Sequence, residues 1–255
     1  MIPIADSERS RSIPYVNLAI IIANFAVFFY EITISQHVIG RGITQLDIFI
    51  YHWGNIPACT FDALGWDQGL TARSIECRSQ PHADLTVFSA MFIHGGWLHI
   101  IGNMLFLWIF GDNVEDAMGH ALYAVFYLLV GTLAALTHGL VNASELTPAV
   151  GASGAIAGVM GAYIVLFPRA TVSVIIPFLF FIPFPLPAFL LIGFWFLAQV
   201  FSGFSSLGVD AVGAGGGVAY FAHIGGFVAG ALLVNAFAWN RPRGDPRPMP
   251  PFESR

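Results

Sequence analysis

Charged residues are scarce in this chain. Asp, Glu, Lys and Arg make up 10% of its 255 residues, against about 25% in a typical soluble domain, which excludes an ordinary water-soluble enzyme. Lysine is absent, so all ten basic residues are arginines. A formal net charge of −5 leaves no basic surface for nucleic acid. No Walker-type or G-x-G-x-x-G loop follows a strand pattern, which removes nucleotide chemistry. None of the eight histidines falls in an H-E-x-x-H spacing, so a membrane metalloprotease is excluded and no metal or organic cofactor is implied. No small-residue cleavage site closes the first apolar run, so the run is expected to be retained rather than removed as a secretory signal.

What the chain has instead is apolar length. Hydrophobic residues account for 56% of it, and the charges cluster so as to leave six windows free of Asp, Glu, Lys and Arg: 12–30, 85–111, 117–144, 146–168, 170–209 and 211–240. About 20 apolar residues cross ~30 Å of hydrocarbon. The windows therefore predict an all-α membrane protein of six transmembrane helices, at 14–33, 94–112, 119–141, 151–167, 186–204 and 218–239. The window 170–209 holds Pro177, Pro183, Pro185 and Pro187 in its first half. Proline interrupts helices, so the window is expected to be a loop against the membrane followed by one span.

Arginine-bearing segments stay cytoplasmic. Arg9 and Arg11 precede the first span, Arg169 follows the fourth, and Arg241, Arg243, Arg247 and Arg255 follow the sixth. All three segments agree on one topology: a short cytoplasmic N-terminus (1–13), a six-span core (14–239) and a disordered, Pro/Arg-rich cytoplasmic tail (240–255). The long first loop, 36–84, is mildly acidic and is placed outside. It carries the two cysteines, Cys59 and Cys77, in a compartment where disulfides persist; a disulfide between them is the expectation, two free thiols the other reading. Within the loop, Ile48 to Phe61 is too short to span and reads as interfacial or re-entrant. The stretch from Gly203 to Gly217 contains six glycines and is expected to be mobile.

Polar residues inside spans are costly and mark function by default. Here they are His94, His99 and Asn103 in the second span, His138 in the third, Ser153 in the fourth, Gln199 in the fifth and His223 in the sixth. The second, fourth and sixth spans run from outside to inside, which puts His99, Ser153 and His223 within ~3–8 Å of the outer helix ends. Taken alone, a membrane serine is usually a packing residue and a membrane histidine needs only a structural hydrogen bond. Common depth on three helices is the stronger signal. A serine needs a histidine to take its proton, and acyl transfer needs donors for an oxyanion; His99 and Asn103, at i and i+4, share one helical face. Gly154/Gly158 and Gly226/Gly230 are pairs of the kind that lets helix backbones meet. The fifth span, rich in Phe, is expected to be loosely held.

Three motifs then stand in order: H-G-G-W-L-H-I-I-G-N at 94–103, G-A-S-G-A-I-A-G at 151–158 and A-H-I-G-G-F-V-A-G at 222–230. Together they resemble the rhomboid family of intramembrane serine proteases. The resemblance implies a six-span rhomboid-like bundle with Ser153 as nucleophile and His223 as general base. It places His99 and Asn103 with the Ser153 N–H in the oxyanion hole. It also gives structural roles to His94, to Gly151 and Gly154 of the G-x-S-G motif, and to Glu115 in G-D-N-V-E. The implied substrates are transmembrane proteins, cleaved near the outer boundary of the lipid bilayer, and the expected location is multi-pass in a bacterial plasma membrane. Where some members carry a tyrosine that stacks on the base, this chain has Ala157, so nothing in the motifs identifies what orients His223. Two rivals remain: a catalytically inactive rhomboid-like binder of membrane segments, and a transporter or channel, for which polar residues near span centres and inverted halves would be expected.

Overall fold

The computed structural model describes residues 1–8, 10–35, 37–40, 42–66, 75–80, 82–175, 182–206 and 218–238. In chain order the elements are β1 (Ile2–Asp6), α1 (Tyr15–Ser35), β2 (Val38–Gly40), β3 (Ile43–Thr44), α2 (Gln45–Trp53), α3 (Pro57–Ala63), α4 (Ile75–Arg78), α5 (Thr86–Ser89), α6 (Trp97–Met118), α7 (His120–Val141), α8 (Ser153–Leu166), β4 (Thr171–Ile175), β5 (Phe184–Pro187), α9 (Ala188–Ser206) and α10 (Tyr220–Phe237). Apolar windows become helices because a helix satisfies its own backbone hydrogen bonds, which lipid cannot do. Among the described residues α1, α7, α9 and α10 are long and apolar enough to cross a membrane, and α6 adds a fifth when joined to the short helices of Ala83–Phe92, bent from it by 84°. The count therefore reaches five, where the sequence leads one to expect six. The sixth apolar segment, α8, has only 14 residues, or ~21 Å. Being short costs α8 little, because nearly all of it is buried by its neighbours rather than exposed to lipid.

The bundle is not purely helical. β4 lies between β1 and β5 in an antiparallel sheet, with Ile2 opposite Ile175 and Asp6 opposite Val172, and Thr171 opposite Pro187. Two expectations are corrected by it: the chain is mostly helical rather than all-α, and part of the Pro-rich loop is a pair of strands. The prolines fit because Pro185 and Pro187 lie on β5, an edge strand that needs fewer donors. A period-2 signal was present in Thr171-Val-Ser-Val-Ile, whose Val172 and Val174 are fully buried.

Asp6 anchors β1 to the helices. Its carboxylate accepts from the Tyr163 hydroxyl (2.5 Å) and from Asn113 Nδ2 (2.9 Å). Burial pushes its pKa up to about 7, against the opposing Tyr163 hydrogen bond and with Asp112 and Glu8 nearby. A carboxyl raised in the folded state contributes stability that is fully present below its ordinary value near 4 and is lost as pH rises through the folded value. Thermal unfolding in detergent should therefore show a Tm that falls between pH 5 and pH 8. Asp6→Asn should flatten that slope; an unchanged slope would remove Asp6 as its source.

At the same end of α6, Glu115 is completely buried. It accepts from the Val16 and Asn17 backbone N–H groups (3.0 and 2.7 Å), capping α1, and from His120 Nδ1 (2.5 Å). An acidic side chain at a helix N-terminus satisfies otherwise orphaned donors. Glu115→Ala should cost about 2–4 kcal/mol in unfolding experiments, with Glu115→Gln retaining most of the stability; equal losses in both variants would refute the capping role.

In the first connection, Cys59 and Cys77 form a disulfide, with Cα atoms 5.1 Å apart. The segment read as interfacial or re-entrant is two helices broken at Gly54. The first, α2, is capped by a Thr44–Asp47 capping box and buries none of its residues. The second, α3, packs inward on Cys59 and Phe61. Asn55 exchanges two backbone hydrogen bonds with Ala149 (3.0 and 2.8 Å), and its side chain donates to Thr60 and Thr86. The connection thus braces the turn that leads into α8.

Glycines set the spacing at the centre. A Cβ on Gly226 or Gly230 would strike the carbonyl oxygen of Gly154 or Gly158, respectively. α8 and α10 therefore meet backbone to backbone, the close approach that small residues allow in lipid. α9 differs in exposure: nine of its 19 residues are exposed, Phe189, Phe194, Phe201 and Phe204 among them, against four of the 18 of α10.

Candidate active site

Ser153 is the first residue of α8, and His223 the fourth of α10. Contact between α8 and α10 brings His223 Nε2 to 2.7 Å from Ser153 Oγ. The other ring nitrogen, Nδ1, lies 2.8 Å from Gln199 Oε1 on α9. An amide oxygen only accepts, so Nδ1 carries the proton and Nε2 presents its lone pair to the serine. The Trp195 ring, one turn before Gln199, rests 5.6 Å from the imidazole. Both ring nitrogens of this buried histidine therefore meet neutral partners.

Gly151, two residues before Ser153, has a φ of +123°, a backbone conformation that favours glycine. A Cβ there would also come within 2.7 Å of His99 Nε2 and 3.7 Å of Asn103 Nδ2. The same position thus brings two α6 side chains against the serine turn. His99 Nδ1 accepts from the Gly95 N–H (3.4 Å), which leaves Nε2 as the protonated nitrogen of a neutral ring, facing Gly151. Asn103 donates one N–H to His94 Nε2 (3.0 Å), leaving its second for another acceptor. The turn itself is held by the Gly151 N–H, which bonds the Ala90 carbonyl (2.8 Å). Gly154 faces Ala134 of α7, where a Cβ would approach to 2.8 Å. A cleft lined by Met91, Ala134, His138, Gly151, Ser153 and Ala222 opens beside the serine.

Ser153, His223, His99, Asn103, His94 and Gly151 thus converge. Glu115 does not: it sits at the far end of α6. His138, one of the polar span residues, lines the cleft, with Nε2 3.6 Å from Glu145. Two supporting residues escape a reading of the sequence. Glu31 is buried near the end of α1 and accepts the His94 backbone N–H (3.2 and 3.3 Å); its signal was a lone carboxylate within the first span. Gln199 is visible as a polar residue of the fifth span, but nothing there gives it a partner. The expected mobile stretch after Ser206 and the tail beyond 238 lie outside the described residues.

A serine hydroxyl bonded to a histidine, inside a bundle of apolar helices, defines a multi-pass membrane protein with a polar site at its helix ends. The chain belongs to the rhomboid family: the Rhomboid domain matches residues 82–240, well over half of it. It is 31% identical over 157 residues to Rhomboid protein 1, mitochondrial, of Saccharomyces cerevisiae, across 58% of this chain and 40% of that one. With Rhomboid-like protein 11, chloroplastic, of Arabidopsis thaliana it shares 34% over 118 residues, 46% of this chain and 31% of the relative. RHOMBOID-like protein 5 of the same plant is 33% identical over 76 residues, 30% and 25% of the two chains. In each case the match covers less than half of the relative's length. The compartments these names carry are mitochondrial and chloroplastic, which lends nothing to the bacterial plasma membrane expected above.

Proposed function

We propose that this protein is an intramembrane serine endopeptidase that hydrolyses a peptide bond in a transmembrane substrate. The carrying observation is the 2.7 Å contact between Ser153 Oγ and His223 Nε2. In the proposed reaction Oγ attacks the scissile carbonyl while its proton passes to Nε2. The carbonyl oxygen becomes an oxyanion within reach of the Ser153 N–H, His99 Nε2–H and the second Asn103 N–H. Collapse breaks the C–N bond, and the imidazolium returns its proton to the leaving amine. Water, deprotonated by His223, then hydrolyses the acyl-serine and restores Oγ–H.

With the short α8 counted as a sixth crossing and both termini taken as cytoplasmic, the proposed topology would have this site near the outer membrane boundary. A substrate helix would reach it between α6 and α9, since α9 exposes the largest share of its residues among the long helices, nine of 19. Because a helix hides its carbonyls in hydrogen bonds, a substrate segment weakened by glycine or proline should be cut more readily. The test is fluorophosphonate labelling and cleavage of a transmembrane reporter in reconstituted membranes, for the wild type, Ser153→Ala and His223→Ala. Labelling of wild type alone supports the dyad. Labelling that persists in His223→Ala removes the base, and absence of labelling and cleavage in the wild type supports an inactive binder.

A further inference from the structure

We infer that Gln199 is a positioning residue that holds His223 in the one tautomer able to accept the serine proton. The inference rests on the dyad proposed above and extends it to a residue outside the family motifs. An imidazole free to rotate or exchange tautomers presents a lone pair from Nε2 only part of the time. Serine proteases that place a carboxylate on Nδ1 solve this with a charge; no carboxylate bonds His223 among the described residues. The Gln199 Oε1 acceptor, 2.8 Å from Nδ1, does the same with a neutral group. A neutral acceptor suits a site walled by apolar helices, where an unpaired carboxylate would carry a heavy desolvation cost.

The other contacts on the ring do not select a tautomer. Trp195 touches its face, and the Ser153 hydroxyl can either donate or accept. Among the described residues the imidazole's side-chain hydrogen bonds are to Gln199 and Ser153, neither of them a charged group. Selection therefore falls to Gln199. Its helix, α9, exposes the largest share of its residues among the long helices, so the acceptor belongs to an element able to move away from the base. Displacement of α9 would leave Ser153 and His223 on their tightly packed helices while removing the group that aligns them.

The test compares Gln199→Leu, which deletes the acceptor, with Gln199→Glu, which keeps one. Gln199→Leu should lower kcat and the rate of fluorophosphonate labelling at Ser153 by about 10–100-fold with KM changed less than about threefold, since the interaction is used in the transition state and not in substrate binding. Gln199→Glu should restore most of that loss. Imidazole nitrogen NMR of protein carrying 15N-labelled histidine, with His223→Ala to assign the signal, reports the tautomer independently of activity. Wild type should show His223 protonated at Nδ1, and Gln199→Leu a mixture. An unchanged kcat, an effect confined to KM, equal losses in both variants, or an unaltered tautomer would each overturn the inference. Failure of the dyad itself is distinguishable, because wild type would then not be labelled at Ser153.

Discussion

Ser153→Ala should leave a folded, membrane-embedded protein whose cleavage of a transmembrane reporter has fallen by about three orders of magnitude or more, with fluorophosphonate labelling gone. The size follows from how such groups work together. In the proposed reaction Ser153 Oγ forms the bond to the acyl group and His223, 2.7 Å away, accepts the proton, so neither would retain value without the other. Losses in units of this kind are strongly non-additive. His223→Ala should therefore be nearly as inactive, and the double variant no worse than either single one. Folding should be little affected, since the alanine removes one hydroxyl that contacts one ring nitrogen. Losses that multiply in the double variant would mean that the two residues act separately and that the dyad is wrong.

A second large effect is expected far from any reacting atom. Gly226 stands where a methyl group would collide with the carbonyl oxygen of Gly154, the residue after Ser153. Gly226→Ala must push α10 away from α8, and overpacking of this kind costs about 1–3 kcal/mol. The cost to activity should be greater. A displacement near 1 Å can lower a rate by about 100-fold, and the displaced pair here is Ser153 and His223. Gly226→Ala should thus show a modest fall in Tm together with a loss of about two orders of magnitude in kcat. Gly193→Ala is the control, because nothing lies within 4 Å of a Cβ at that position of α9, and both quantities should stay at wild-type values. If Gly226→Ala is as active as Gly193→Ala, the separation of α8 and α10 does not govern the site.

Legibility differed from residue to residue. Ser153, His99, Asn103 and His223 stood out because they are polar in charge-free windows and lie in recognisable motifs. Gly154, Gly158, Gly226 and Gly230 could be paired from their four-residue spacing, and they do meet. β1 was hidden: Ile2–Asp6 is a short segment with no partner nearby in sequence, and β4 begins 165 residues later, so only the folded chain could join them. Glu31 and Gln199 were visible as polar residues but had no legible role. Each acts on a partner in another helix, Glu31 on the His94 backbone and Gln199 on the His223 ring.

By itself the sequence determined that the chain lives in a membrane, where its helices fall and which few polar side chains they carry, because these depend on composition and local periodicity. Only the tertiary structure decided which of those side chains touch. A helical residue turns ~100° per position, so a partner at the right depth faces the site or the lipid according to how its helix is rotated and how closely it packs. The glycine contact between α8 and α10 settles that for Ser153 and His223, and the rotation of α9 brings Gln199 to the imidazole. The scarcity of charge put the burden of orientation on neutral groups, and the fold supplies one.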